Sequence, residues 1–190
     1  MYVLALNGSH KNDGNTAFLL NEVLKHCKAK GAEVEIENVY EAVSDTKWPF
    51  CINCSTPCSK ACYGGTKLEE LYDKVTKADF VLIGSPVYFG SMTAQLKAFF
   101  DKTRAIRAEK KWAMKPMAAV SVGATKYGGQ EHTAEHIKSC AYVLGMTVCG
   151  NTSLDNPGHF GLLAQRPAME DEYAVAQAKV LADRIISMIE

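Results

Sequence analysis

The stretch Ser85–Phe100, with the sequence SPVYFGSMTAQLKAFF, decides the fold of this chain. It follows an apolar run that ends at Ile83-Gly84 and leads directly into a helical pattern. The apolar residues between Met92 and Phe100 recur at the spacing of one helix face. A strand that ends in proline, aromatic residues and glycine at the edge of a parallel sheet predicts a flat apolar clamp for a planar ring.

Apolar segments alternate with helical patterns along the rest of the chain. The predicted strands are Tyr2–Leu6, Glu33–Val39, Asp79–Gly84, Met117–Val122 and Thr147–Leu154. Strict alternation of strand and helix predicts a parallel sheet covered by helices on both faces. A sheet of five such strands favours the order 2-1-3-4-5, which is that of a flavodoxin-like three-layer αβα sandwich. No repeat or linker interrupts residues 1–190, so a single α/β domain is predicted.

Composition narrows the function classes. The chain has 190 residues, and its 21 Lys and Arg balance its 21 Asp and Glu. A zero net charge argues against nucleic acid or a membrane surface as the partner, since both attract basic proteins. No apolar stretch approaches the roughly 20 residues of a membrane span. The N-terminal residues read as a strand rather than as a signal peptide. A cytoplasmic location is therefore predicted.

The loop after the first strand, Gly8–Thr16, has the sequence GSHKNDGNT. It offers hydroxyl, amide and lysine donors and opens a helix, whose N-terminal N–H groups attract anions. It matches neither the dinucleotide pattern G-x-G-x-x-G nor the Walker pattern with G-K-[ST]. A phosphate-binding loop is predicted, and a plain turn with Asn15 or Thr16 as N-cap is the alternative.

Two further loops are expected at the same edge of the sheet. Pro86–Ser91 borders the planar ring, although Tyr88 and Phe89 could instead serve core packing or a dimer contact. Gly123–Gln130, with the sequence GATKYGGQ, has glycines that let main-chain N–H groups approach the ring, and a simple turn would also explain them. A pocket with a phosphate end and a flat-ring end has the shape of a flavin mononucleotide (FMN) site.

The same residues carry a resemblance to a known family. GSHKNDGNTAFLL resembles the first loop of the NAD(P)H-dependent FMN reductases, and SPVYFGSMTAQLKAFFD resembles their second signature. The similarity extends from Leu4 to about Gly129, and it implies that Ser9, Lys11, Asn15 and Thr16 bind the FMN phosphate. His10 and Lys11 stand where the iron–sulfur flavoprotein branch often has Pro and Arg. The predicted FMN-binding residues are Ser9, His10, Lys11, Gly14, Asn15, Thr16, Pro86, Val87, Tyr88, Phe89, Gly90, Ser91, Gly123, Ala124, Tyr127, Gly128 and Gly129.

Four of the seven cysteines crowd into one segment, CINCSTPCSKAC, as Cys51, Cys54, Cys58 and Cys62. Compact sets of four cysteines hold iron–sulfur clusters, whereas zinc more often takes two C-x-x-C pairs with a longer spacer. The iron–sulfur flavoprotein branch has a compact cysteine motif at this place, with tighter spacing. A [4Fe–4S] cluster is the prediction. Zinc, reduced thiols and a labile disulfide are the alternatives.

These features predict an FMN-dependent oxidoreductase that takes hydride from NAD(P)H and passes electrons to a small acceptor: a quinone, an azo or nitro compound, ferric iron or a flavin. The flavin carries the chemistry, so no catalytic side chain is predicted. The alternatives are an FMN and iron–sulfur electron carrier between protein partners, and a cysteine-based redox or metal sensor. A homodimer or tetramer is expected, with the long segments Glu41–Thr66 and Asp155–Met169 as subunit contacts.

Overall fold

The computed structural model describes residues 1–150 and 160–190. Its strands are β1 (Tyr2–Asn7), β2 (Glu33–Asn38), β3 (Phe80–Pro86), β4 (Pro116–Gly123), β5 (Thr147–Val148) and β6 (Leu162–Gln165). Its helices are α1 (Asn15–Ala29), α2 (Val39–Ser44), α3 (Lys67–Lys77), α4 (Ala94–Asp101), α5 (Arg104–Ala108), α6 (Gln130–Val143) and α7 (Glu172–Ile189). A short 3₁₀ helix, Ala168–Glu170, precedes α7. Among these described residues, no helix is both long and apolar enough to cross a bilayer.

The strands form one parallel sheet in the order β2-β1-β3-β4-β5, with β6 also paired to β4. The predicted order 2-1-3-4-5 is confirmed. Helix α3 supplies the crossover that a parallel sheet requires between β2 and β3. Apart from the fifth position, the predicted strands match the observed ones to within a few residues at each end.

The fifth position of the sheet differs from the prediction. The described part of the predicted strand Thr147–Leu154 is a strand only at Thr147–Val148, and residues 151–154 lie outside the described residues. The later strand β6 runs along the other end of β4, inside a segment that was expected to be irregular. The expectation was wrong there because four residues are too few to show a period. Gly161 just before β6 has φ of +116°, and a Cβ at that position would collide with the carbonyl of Ala119.

Side chains alternate across the sheet and bury two apolar layers. Leu4 and Leu6 of β1 pack on the face covered by α3, α4 and α6, and Val3 and Ala5 pack on the face covered by α1 and α7. All four are fully buried, and burying one leucine contributes about 1.5–3 kcal/mol. The rigid layers hold the loops at the carboxyl ends of β1, β3 and β4 in fixed positions.

Candidate functional site at the carboxyl edge of the sheet

The loops that follow β1 and β3 meet at Gly8. The Gly8 N–H donates to the Gly84 carbonyl oxygen at 2.7 Å, and a Cβ at Gly8 would lie 2.6 Å from the same oxygen. The Thr93 hydroxyl donates to the Gly8 carbonyl oxygen at 2.7 Å, and Gln95 Nε2 donates to it at 3.0 Å. Only glycine allows so close an approach of two main chains. The first and second predicted loops therefore lie side by side.

The loop after β1 is held by its own polar groups. The Ser9 N–H donates to Asn7 Oδ1 at 3.1 Å, and the Lys11 N–H donates to Ser9 Oγ at 3.2 Å. Asn7 Nδ2 donates to the Lys11 carbonyl oxygen at 2.9 Å. Asn7 and Ser9 are both buried. The loop therefore presents Lys11 and the next residues from a fixed backbone.

Helix α1 begins without a side-chain cap. Its N-cap residue is Gly14, which has no side-chain oxygen to accept from the first N–H groups of the helix. The alternative prediction of Asn15 or Thr16 as the N-cap is therefore wrong. An uncapped N-terminus carries about half a positive charge and free N–H donors, which suit an anion.

The loop after β3 folds into a two-residue hairpin. Tyr88 and Ser91 exchange main-chain hydrogen bonds of 2.8 and 3.1 Å. Phe89 and Gly90 between them have φ of 50° and 72°, as in a type I′ turn. The turn directs the Phe89 ring outward, where it is fully exposed. Core packing as a role for Phe89 is therefore wrong.

The loop after β4 is pinned by Gln130, the first residue of α6. Gln130 Nε2 donates to the carbonyl oxygens of Thr125 at 2.6 Å and Ala164 at 3.2 Å, and its Oε1 accepts from the Gly128 N–H at 2.8 Å. A Cβ at Gly123 would lie 2.5–2.8 Å from this amide group. Glycine at that position makes room for the buried amide that shapes the loop. The sequence pattern did not single out the side chain of Gln130.

The three loops enclose a cavity of about 230 Å³. Of the predicted FMN-binding residues, those that line it are Ser9, His10, Lys11, Gly14, Asn15, Thr16, Pro86, Val87, Tyr88, Gly123 and Ala124. Phe89, Gly90, Ser91, Tyr127, Gly128 and Gly129 are not among its lining residues. Among the described residues, Val122 and Arg166 also line the cavity, and neither was predicted from the sequence. No motif marks Arg166, which lies in a segment expected to be irregular.

The side chains and the charge of the cavity lining suit FMN. Its lining includes the cations Lys11 and Arg166, and no carboxylate of the described residues is part of that lining. The uncapped start of α1 adds donors for a phosphate dianion. Pro86, Val87 and Tyr88 offer the apolar surface that a flat ring needs.

An apolar groove of about 690 Å³ lies beside the hairpin. Tyr88, Phe89, Met92, Ala94 and Cys140 give it its apolar surface. Ser91 Oγ lies 2.9 Å from Nδ1 of His136, which joins the hairpin to α6 along this groove. The groove and the exposed Phe89 ring form one continuous surface.

The segment with four cysteines packs against α5. Arg104 donates from Nη1 to the Ser55 carbonyl oxygen at 3.0 Å and from Nη2 to Thr56 Oγ1 at 3.1 Å, and Lys60 pairs with Glu109 at 2.9 Å. Cys51, Cys54, Cys58 and Cys62 are all free thiols. In residues 1–150 and 160–190, no three Cys, His, Asp or Glu side chains stand in an arrangement that could hold a metal ion. The iron–sulfur assignment stays a prediction.

A buried hydroxyl lies next to these cysteines. Tyr63 is 1% exposed, and its Oη has no hydrogen-bond partner among the described residues. Burial raises the pKa of Tyr63, and the nearby Cys58 and Cys62 raise it further. An unpaired buried donor beside two thiols is the kind of group that accompanies sulfur ligands of a metal centre. The donor set therefore suits a sulfur-bound cluster, although the sulfurs are not gathered.

The chain is similar to proteins of known family and fold. The family model described as NADPH-dependent FMN reductase matches residues 1–158. An iron–sulfur flavoprotein of Methanocaldococcus jannaschii is 34% identical over 163 residues, which cover 85% of this chain and 81% of that protein. An iron–sulfur flavoprotein of Methanosarcina thermophila is 30% identical and is matched over 96% of its length by 100% of this chain. Oxidised flavodoxin 2 of Bacillus cereus superimposes with a TM-score of 0.66 at 17% identity, covering 99% of both chains.

Proposed function

Because the chain belongs to the NADPH-dependent FMN reductase family, we propose that it is an FMN-dependent oxidoreductase that takes hydride from NAD(P)H and passes electrons to a small acceptor. Quinones, azo or nitro compounds, ferric iron and flavins are acceptors of the right kind. The observation that carries the proposal is the cavity shared by the loops after β1, β3 and β4. Its two ends differ in chemistry as the two ends of FMN do.

The chain's own groups have separate tasks in this proposal. The N-terminus of α1, Ser9 and Lys11 hold the phosphate, because N–H groups, a hydroxyl and an ammonium all donate to its oxygens. Pro86, Val87 and Tyr88 form the wall against the ring. When bound, FMN would supply the redox chemistry, because a flavin can accept a hydride and release the electrons one at a time.

The loop that contains Gly123 and Ala124 stabilises charge. Its backbone N–H groups lie where the cavity meets β4, and donors fixed in advance stabilise negative charge on a reduced ring. Gln130 keeps this loop in place through hydrogen bonds to Thr125 and Gly128. The carboxyl edge of the sheet therefore provides donors without a moving acid or base.

Two measurements on purified protein test the proposal. FMN is titrated into protein freed of flavin, and quenching of flavin fluorescence gives the dissociation constant. The loaded protein is then mixed without oxygen with NADPH or NADH in a stopped-flow spectrometer. Rapid bleaching of the flavin band supports a reductase and identifies the preferred nucleotide. Absence of bleaching with both nucleotides favours an electron carrier, and absence of FMN binding overturns the proposal.

A second candidate function is electron transfer that involves an iron–sulfur cluster on Cys51, Cys54, Cys58 and Cys62. The unpaired Tyr63 hydroxyl beside Cys58 and Cys62 favours it, and two relatives bear the name iron–sulfur flavoprotein. Iron and sulfide are measured per chain in protein purified without oxygen, for the wild type and a Cys51→Ser/Cys54→Ser variant. The half-buried Cys140, in Cys140→Ser, is the control.

Iron that is present in the wild type and Cys140→Ser but lost from the double variant supports the cluster. Zinc in place of iron, or metal-free wild type, argues against it. Full turnover of the double variant disposes of the cysteine-based sensor, because that alternative makes the cysteine segment the active part.

We also propose that the chain forms a homodimer. The fully exposed Phe89 ring and the adjoining apolar groove support a contact on this face. Light scattering of the wild type and Phe89→Asp tests it, and a dimeric variant would rule out this face. The expected contacts through residues 41–66 and 155–169 stay predictions, as does the cytoplasmic location, and residues 151–159 lie outside the described residues.

A further inference from the structure

Arg166 lies in a turn that is fixed to two loops of the candidate site. Its N–H donates to the Gly123 carbonyl oxygen at 3.0 Å, as a continuation of the pairing of β6 with β4. Two residues later, the N–H of the buried Ala168 donates to Asn15 Oδ1 at 2.8 Å. Asn15 is the first residue of α1. The turn therefore joins the loop after β4 to the start of the helix that faces the phosphate end.

The start of α7 holds the same turn from its other side. Asp171 Oδ2 accepts from the Gln165 N–H at 2.9 Å, and its Oδ1 accepts from the Ala174 N–H at 3.1 Å. One aspartate therefore caps α7 and fixes the residue before Arg166. With its backbone restrained at Gly123, Asn15 and Asp171, the turn costs little further entropy when the arginine binds an anion.

The side chain of Arg166 reaches the cavity as an available cation. It lines the same cavity as Ser9, Lys11 and Gly14, and it forms no ion pair with the described residues. No Asp or Glu of the described residues lines that cavity. Two cations and an uncapped helix start, without an opposing carboxylate, form a site for a dianion.

We propose that Arg166 is an FMN-binding residue whose guanidinium pairs with the phosphate, in the cavity that Lys11 also lines. The inference rests on the proposed FMN site. It adds an FMN-binding residue that lies beyond the stretch matched by the family model, which ends at residue 158. The contact between Ala168 and Asn15 sets the turn beside the start of α1, which favours the phosphate over the ring. The planar fork of arginine donates two parallel hydrogen bonds to a phosphate, which an ammonium does not.

The test compares two ligands that differ only in the phosphate, FMN and riboflavin. Dissociation constants are measured by fluorescence quenching for the wild type, Arg166→Ala and Arg166→Lys. Lys179→Ala, which removes an exposed positive charge from α7, is the matched control. Arg166→Ala is expected to weaken FMN binding about 10- to 100-fold and to leave riboflavin binding unchanged. Arg166→Lys recovers part of the loss, and Lys179→Ala binds FMN as the wild type does.

Three results would overturn the inference. Unchanged FMN affinity in Arg166→Ala means that the guanidinium does not contact the ligand. Equal losses for FMN and riboflavin mean that it contacts the ring or shapes the pocket instead. A loss of the same size in Lys179→Ala means that general charge is responsible. A wild type that does not bind FMN refutes the proposed function itself, so the two failures are distinguishable. Melting temperatures without ligand are recorded for every variant, and Arg166→Gln replaces any variant that melts early.

Discussion

A methyl group added at Gly123 should disrupt the loop after β4 through one side chain. In Gly123→Ala the new carbon would lie 2.5–2.8 Å from the amide of Gln130, which is closer than a Cβ approaches a neighbouring heavy atom. Gln130 is only 3% exposed and makes hydrogen bonds at 2.6, 2.8 and 3.2 Å, so it cannot move aside without losing them. Each bond contributes about 0.5–1.5 kcal/mol, and the expected loss of unfolding free energy is about 2–4 kcal/mol.

A double-mutant cycle separates this cause from a general intolerance of alanine. Gln130→Ala loses the same hydrogen bonds and is expected to cost about 2–4 kcal/mol, but it leaves space for the added methyl group. Adding Gly123→Ala to it should therefore cost less than about 0.5 kcal/mol, far from the sum of the single losses. Urea unfolding measures all four proteins, and FMN titration is expected to show weaker binding in each variant. Equal costs of Gly123→Ala in both backgrounds would refute the reasoning.

Three further predictions concern single side chains. Thr93→Ala should lower the unfolding free energy by about 1–3 kcal/mol and weaken FMN binding, because the buried Thr93 hydroxyl caps α4 and donates to the Gly8 carbonyl oxygen. Thr93→Ser, which keeps the hydroxyl, should retain most of the stability and most of the FMN affinity, as measured by urea unfolding and FMN titration. In metal-free protein Tyr63→Phe should change the unfolding free energy by less than about 0.5 kcal/mol, because the Tyr63 hydroxyl has no hydrogen-bond partner among the described residues. Tyr72→Phe should cost about 1–2 kcal/mol, because the Tyr72 hydroxyl donates to a main-chain carbonyl oxygen at 2.7 Å. Equal losses in the two variants on urea unfolding would contradict this prediction. Burial raises the pKa of the Cys27 thiol from 9.0 to about 11, so the unfolded chain releases this proton first and stability should fall as pH rises through that window. Unfolding free energies of the wild type and Cys27→Ala at intervals across it check the sign, since the variant should show a smaller decline.

In the cysteine segment the residue types favour an iron–sulfur cluster, whereas the positions of the described side chains do not. Four thiols within one loop have the donor type and number of an iron–sulfur site. The described cysteines do not stand in a metal-binding arrangement, although Cys62 is buried and borders the unpaired Tyr63 hydroxyl. Metal sites often form only when the metal binds, because the ligands gain their geometry from it. Iron analysis therefore decides what the spacing of the cysteines alone does not.

The local pattern of the chain was enough to predict the strand order 2-1-3-4-5 and two of the loops, but not strand β6. Apolar runs and helical spacing are properties of neighbouring residues, so the order 2-1-3-4-5 and the loop Gly8–Thr16 followed from them. The turn with Tyr88 and Phe89 was also located correctly, but the outward orientation of the Phe89 side chain was not predicted. Whether Phe89 faces the cavity or the solvent depends on a two-residue hairpin whose backbone angles no apolar period reveals.

By itself, then, the sequence determined the parallel α/β layers and the edge of the sheet at which the candidate site lies, because both arise from the order of strands and helices. Only the tertiary structure decided which distant groups complete that edge. The Gly123 carbonyl oxygen accepts a hydrogen bond from the Arg166 N–H. Asn15 Oδ1 accepts one from the N–H of Ala168, which lies 153 positions later in the sequence. Such contacts depend on the register of β6 against β4 and on the packing of the turn on α1. The local sequence around two distant residues does not show that they will come into contact, because only folding brings them together.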